Sequence, residues 1–148
     1  MTAHLRRLQF PDSLLKQTGE IWSEHSNESL FIIAVEPDRF VIELLNPAHE
    51  RSTGLRTADV SGRTPHECLP PEVADAVTAH YRQCVKAGEA IRYEETLDLP
   101  GGVRHWQTVL TPIRDDTGRI SRILGSARDV TVEQEALRRE EETRSLMQ

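Results

Sequence analysis

An α+β fold, one antiparallel sheet with helices packed on one face, follows from three features of this sequence. Two short β-branched runs between residues 31 and 45 are separated by a tight turn; a helix opened by proline and closed by glycine occupies the middle; three alternating strands joined by glycine- and aspartate-rich turns come next. Short connections throughout make antiparallel pairing the economical arrangement.

The elements follow in order. Leu5 and Leu8, then Leu14, Leu15, Ile21 and Trp22, recur at helical spacing on either side of Pro11, so residues 1–27 read as a helical cap whose apolar stripe must lie on something. The period changes at Phe31-Ile32-Ile33-Ala34-Val35, breaks at Glu36-Pro37-Asp38 and resumes at Phe40 to Leu45, a β-hairpin. Asn46-Pro47 closes the second strand, and a short helix from Ala48 to Thr53 stops at Gly54. Gly62, Pro65 and Pro70 predict short helical turns. Pro71-Glu72 then opens a helix that runs to Ala87 and ends at Gly88, with Val73, Val77, Tyr81, Cys84 and Val85 on its apolar face. Strands follow over Arg92 to Leu99, Arg104 to Pro112 and Arg119 to Val130, turning at Pro100-Gly101-Gly102 and Asp115-Asp116-Thr117-Gly118. From Thr131 the chain is strongly charged, with Glu135 to Arg139 and Glu140 to Arg144 spaced as helical ion pairs, so it reads as a helix leaving the domain.

Composition narrows the function. The 148 residues suit one domain, and 37% apolar with 28% charged residues is a globular balance. A net charge of -6 offers no basic track for a phosphate backbone, so nucleic acid is not an expected partner. The apolar runs are far shorter than the ~20 residues that cross a bilayer, and no apolar stretch follows Arg6 and Arg7, so neither a membrane segment nor a signal peptide is expected and a cytoplasmic location is. Cys68 and Cys84 are read as thiols.

Several stretches, in this order and spacing, resemble a PAS domain. They are Asn46 to Leu55 after the hairpin, Asp59-Val60-Ser61-Gly62-Arg63-Thr64, Leu97 to Gly102, Leu110 to Arg119, and Gly125 to Thr131. The resemblance implies a sensory module of bacterial signalling proteins, such as sensor histidine kinases of two-component systems, diguanylate cyclases or phosphodiesterases: a five-stranded antiparallel sheet, short helices on one face, an N-terminal cap helix and a C-terminal linker helix. It divides the chain into a helical cap (1–27), the PAS domain (28–132) and a signalling linker (133–148). It also implies that Asp129-Val130-Thr131 couples the last strand to the exit helix, with Thr131 read as the helix N-cap. No nucleotide loop, phosphoacceptor helix or cyclase signature is found, so the chain is expected to be part of a longer protein whose effector lies further along, and not itself an enzyme.

Alternation places Trp106, Thr108 and Leu110 on one face of their strand and Ile123, Gly125 and Ala127 on one face of the last. By similarity to PAS proteins these point into a pocket, with Ile33 and Val35 opposite, Val77, Tyr81 and Cys84 closing it, and Gly125 and Ala127 leaving space. A packed core with Trp106 filling that space is the competing reading. A flavin-binding light-oxygen-voltage module needs Asn-Cys-Arg-Phe-Leu-Gln soon after Gly62-Arg63, where this chain has Thr64-Pro65-His66-Glu67-Cys68, so a flavin is not expected. His80 is the candidate haem ligand but stands about one turn from the required position, which Val77 occupies; no cofactor is the expectation. His66, Cys68, His80 and Cys84 fit no familiar zinc spacing, and no metal site is assigned.

Glu43 interrupts an apolar strand and Glu95 lies among Tyr93 and Leu97, so either could face a polar ligand, while one wet sheet face accounts for both without one; Glu50 is expected to pair with an arginine. A small cone-shaped isomerase or dehydratase is the alternative function, with Glu43, His105 and Tyr81 as its candidate acid-base set. The module is expected either to bind a small ligand or to mediate dimerisation, passing a conformational signal to a C-terminal effector, with homodimerisation through the N- and/or C-terminal helix. Val130, Leu137 and Met147 share one heptad frame and Val132, Ala136 and Leu146 another, neither a full seam.

Overall fold

The computed structural model of the chain describes residues 28–147; the N-terminal helical cap expected over residues 1–27, and any dimer surface on it, lies outside them. Five strands form one antiparallel sheet in the order β2-β1-β5-β4-β3. They are β1 (Ser29–Val35), β2 (Phe40–Leu45), β3 (Ile91–Leu99), β4 (Gly102–Arg114) and β5 (Ile120–Asp129). Between β2 and β3 lie α1 (Pro47–Thr53), α2 (Thr57–Val60), α3 (Pro65–Cys68) and α4 (Pro71–Ala87), and α5 (Thr131–Leu146) follows β5. This is the expected architecture, with the last strand in sequence, β5, near the centre of the sheet between β1 and β4.

Local chemistry explains the hairpin-to-helix passage. Asn46 is fully buried: its Oδ1 accepts from the amides of Leu30 and His49, each at 2.9 Å, while its Nδ2 donates to the Glu28 carbonyl at 2.8 Å. One side chain thus caps α1 and fastens it to the start of β1. Pro47 takes the first helical position and Gly54, at φ 76°, ends the helix in the left-handed conformation. Glu50 has a different partner from the arginine expected: its Oε2 accepts from the Thr57 amide at 2.8 Å, fixing the start of α2. Thr64 and Glu67 form a capping box on α3.

The long helix α4 buries Val73, Ala74, Val77, Tyr81 and Cys84 against the sheet, with Val85 partly buried at the margin. Strand β4 runs two residues past Pro112, where the sequence reading ended it. Pairing with β3 stops at Leu110, so Pro112 lies where that flank of β4 has no ladder to interrupt. Along β1, Phe31 and Ile33 face α4 in the main core, and the alternate residues Leu30 and Ile32 are buried on the opposite face.

Helix α5 differs from the rest. None of its residues is buried, Val132 and Leu146 are 77% and 87% exposed, and Arg139 and Arg138 make surface ion pairs with Glu135 and Glu142 at 3.8 and 3.7 Å. Val130, by contrast, is buried, which removes it from the heptad frame the sequence suggested.

Gly125 marks a close approach. Phe31 is its cross-strand partner, and the Phe31 ring lies over the glycine where a Cβ would stand. Gly125→Ala is therefore expected to cost about 1–3 kcal/mol of stability by overpacking, with Phe31→Leu recovering part of it in the same background. Urea unfolding measures both, and an unchanged midpoint for Gly125→Ala would show that the ring does not sit there.

Candidate functional site

Between the concave face of the sheet and the helices lies a cavity of about 70 Å³. Strands β1 and β2 contribute Phe31, Ile33, Ile42 and Leu45; α1 contributes His49 and Thr53; α4 contributes Val73, Val77 and Tyr81. The opposite wall is Tyr93, Glu95, Leu97 and Leu99 of β3, Trp106 and Thr108 of β4, and Ala127 of β5. Of the residues singled out from sequence, Ile33, Val77, Tyr81, Trp106, Thr108 and Ala127 line this space.

The other five do not. Leu110 and Ile123 are fully buried outside the lining, and the Cys84 thiol lies against the carbonyls of Leu110 and Glu89 at 3.7 and 3.9 Å. Val35 sits at the end of β1, beside Phe40 and Val85. Gly125 leaves no room, because Phe31 takes it. The largest omission from the sequence reading was β3, whose inward residues Tyr93, Glu95, Leu97 and Leu99 follow strict alternation. The alternation is present in the sequence, but it suits a strand with one wet face as well as a wall facing a ligand.

Polar groups in the lining are few. Glu95, 10% exposed, has its carboxyl pushed up to about 7 by burial, against an opposing hydrogen bond from Tyr93. Its Oε2 is 4.0 Å from Nε2 of His80, which is stacked on Tyr93 with ring centroids 3.6 Å apart. Burial also lowers His49 to about 4 and raises Tyr81 and Tyr93 far above the ordinary phenol range. No lysine or arginine lines the cavity. Two buried atoms of the lining, Glu95 Oε1 and Trp106 Nε1, have no hydrogen-bond partner in the protein. Each such orphan costs about 1–3 kcal/mol.

The acid-base set considered for an enzyme is not assembled. Glu43 pairs with Arg122 at 3.2 Å away from the cavity, and His105 Nδ1 meets the Thr96 hydroxyl at 2.6 Å on an exposed face, leaving Tyr81 alone inside. His66 pairs with Asp75 at 2.7 Å, and no group of three or more metal-ligating side chains occurs among the described residues.

The second part of the site is the junction of β5 with α5. Thr131 is the first residue of the helix and not its N-cap; that position falls to Val130, whose side chain offers no hydrogen bond. The Thr131 hydroxyl is instead tied to Asp129 Oδ1 and accepts from the His105 amide at 2.9 Å. The Val130 amide donates to the His105 carbonyl at 2.8 Å, and Arg104 holds the other Asp129 oxygen at 2.7 Å. Burial pushes the Asp129 carboxyl up, but the bonds from Thr131 and Arg104 outweigh it and leave its pKa lowered.

The raised Glu95 pKa has a signed consequence. The folded carboxyl holds its proton more tightly than the unfolded chain, whose value is near 4.5, so stability is fully present below that pH and falls as pH rises to about 7. Glu95→Gln abolishes this dependence. The stability difference between variant and wild type is expected to grow from pH 4.5 to 7 and level off at about 1–3 kcal/mol, read by denaturant unfolding across pH; a difference independent of pH would contradict the burial.

No curated protein matches the chain. Solved structures do. An RNA-binding light-oxygen-voltage receptor is 24% identical, with a TM-score of 0.65 over 93% of this chain, and the chain spans 39% of that receptor's length. A PAS domain from Colwellia psychrerythraea is 17% identical, with a TM-score of 0.64 over 80% of this chain and 98% of its own. A light-oxygen-voltage domain studied through a flavin analogue is 19% identical, with a TM-score of 0.63 over 89% of this chain and 96% of its own. The presence of light-oxygen-voltage proteins among these fold relatives overturns the expectation that no cofactor is bound and that a flavin is set aside. That expectation rested on one missing stretch after Gly62-Arg63, a test too narrow for the whole pocket. A family model described as the PAS fold matches residues 23–135, so the chain belongs to the PAS fold family.

Proposed function

We propose that residues 28–132 form a sensing unit that takes a small flat ligand into the cavity and passes its effect, through Asp129, Val130 and Thr131, to the linker helix and an effector beyond it. One observation carries this reading. Trp106 lines the cavity, is the register partner of Asp129, and directly follows His105, whose amide and carbonyl both hold the junction. A ligand that displaces the Trp106 indole strains the backbone that fastens α5. It biases the helix only as far as it binds one arrangement better than the other.

The ligand is a heteroaromatic of the flavin kind. The unpartnered oxygen of Glu95 and indole nitrogen of Trp106 suit the N–H and carbonyl edge of a flavin ring, and the apolar walls suit its faces. Bound there, a flavin would supply light absorption and redox chemistry. Pockets for molecules of that size hold roughly 300–1,000 Å³, so occupancy requires the cavity to widen, and that widening is the signal.

The rest of the reading concerns context. Val132, Leu137, Leu146 and Met147 on α5 are exposed and suit a second copy of this chain, giving a homodimer. The effector is a C-terminal histidine kinase or diguanylate cyclase domain, and the setting is cytoplasmic; no helix among the described residues is long and apolar enough to cross a membrane.

Titration with riboflavin, followed by amide hydrogen exchange, tests the proposal. Wild-type protein is expected to bind and to change exchange in the first turns of α5, while Asp129→Ala binds with similar affinity and leaves α5 unchanged. Binding that never alters α5 exchange would remove transmission; a failure of riboflavin to bind would remove flavins from the ligand class.

A further inference from the structure

Four buried side-chain atoms among the described residues lack a hydrogen-bond partner: Thr78 Oγ1, Arg104 Nε, Glu95 Oε1 and Trp106 Nε1. Thr78 and Arg104 lie outside the cavity lining, and Glu95 and Trp106 are both within it. The latter two are also register partners, facing each other across β3 and β4. One is an acceptor and the other, an indole N–H, is a donor only. Both residues line one cavity from adjacent strands, and each carries a buried polar atom without a partner, a recognition pattern that lacks its second half.

We propose that this pair sets ligand choice: the cavity accepts a small flat heterocycle presenting an N–H beside a C=O, and rejects anions and analogues whose N–H is blocked. The inference rests on the ligand-binding reading above and adds its specificity. The ligand N–H donates to Glu95 Oε1 and the ligand carbonyl accepts from Trp106 Nε1, so both orphans are satisfied by one lactam-type edge. Anions are refused for want of a counter-charge, since the lining holds no lysine or arginine and His49 is kept neutral by burial. The remaining walls are mostly aliphatic and aromatic, suited to the faces of a ring. A site built to hydrogen-bond an N–H discriminates strongly against a molecule lacking it, because its own polar groups are then left unpaired.

Three matched probes separate the possibilities: carbostyril, which carries the lactam edge; N-methylcarbostyril, which lacks the donor; and naphthoate, an anion of similar size. Each is titrated into the full chain by two-dimensional amide NMR, with the indole signal assigned through Trp106→Phe. Carbostyril is expected to shift the Trp106 indole N–H and to bind at least about tenfold more tightly than either control. Glu95→Leu, checked for folding by circular dichroism, is expected to bring carbostyril and N-methylcarbostyril to nearly equal affinity. Equal binding of the two quinolones to wild type, tighter binding of naphthoate, or an unmoved indole signal overturns the proposal. The two readings fail differently: a control that perturbs Ala127 and α5 as strongly as carbostyril leaves sensing intact and removes the selectivity, whereas silence at Ala127 with all three probes removes both.

Discussion

The Thr131 hydroxyl, tied to the Asp129 carboxylate and accepting from the His105 amide, is the interaction on which the arrangement depends. Helix α5 buries no side chain, so packing does not set its direction. Isolated helices of this length are marginal in water, and surface ion pairs of the kind made by Arg138 and Arg139 add little. The angle at which the chain leaves the sheet is therefore fixed by a few hydrogen bonds at its base. These bonds land on His105, next to a residue of the cavity wall, so a helix that buries no side chain is fastened beside the cavity.

The sheet makes that proximity possible. Strand β5 lies between β1 and β4, so Ala127 faces the cavity while Asp129, two residues on, begins the junction. Phe31 seated over Gly125 closes the space on one side of Ala127, and Leu110 and Ile123 are fully buried outside the lining. Glu95 of β3 and Trp106 of β4 stand in the opposite wall of the space that remains. A wholly apolar lining would have cost less to fold, since an unpaired carboxylate oxygen and an unpaired indole N–H each carry a penalty.

Much of this was legible in the sequence, for physical reasons. Proline at the first turn and glycine after the last bound α4 at the residues observed, and alternation put Trp106, Thr108 and Ala127 on the inner face. Other features depended on contacts that no local pattern encodes. The space expected over Gly125 is taken by a residue 94 positions earlier, a matter of cross-strand register. Thr131 looked like an N-cap because the residue type is right, yet the partner it finds is a carboxylate two residues back and an amide on another strand. For Glu95 the sequence leaves two readings, a polar ligand or a wet sheet face, because a charged side chain in a strand usually faces water. The flavin was excluded on one stretch of sequence, although a pocket is assembled from residues far apart along the chain.

The central claim is that Thr131 fastens the exit helix to the cavity wall, and amide exchange in Thr131→Val tests it most directly. Valine keeps the shape and removes the hydroxyl. The account predicts that the His105 amide loses protection and the first turn of α5 loosens with it, while the amides of Ile32 and Ile33 in β1 keep theirs. Unchanged protection at His105 and along α5 would mean that something other than this hydroxyl holds the helix, and the account would be wrong.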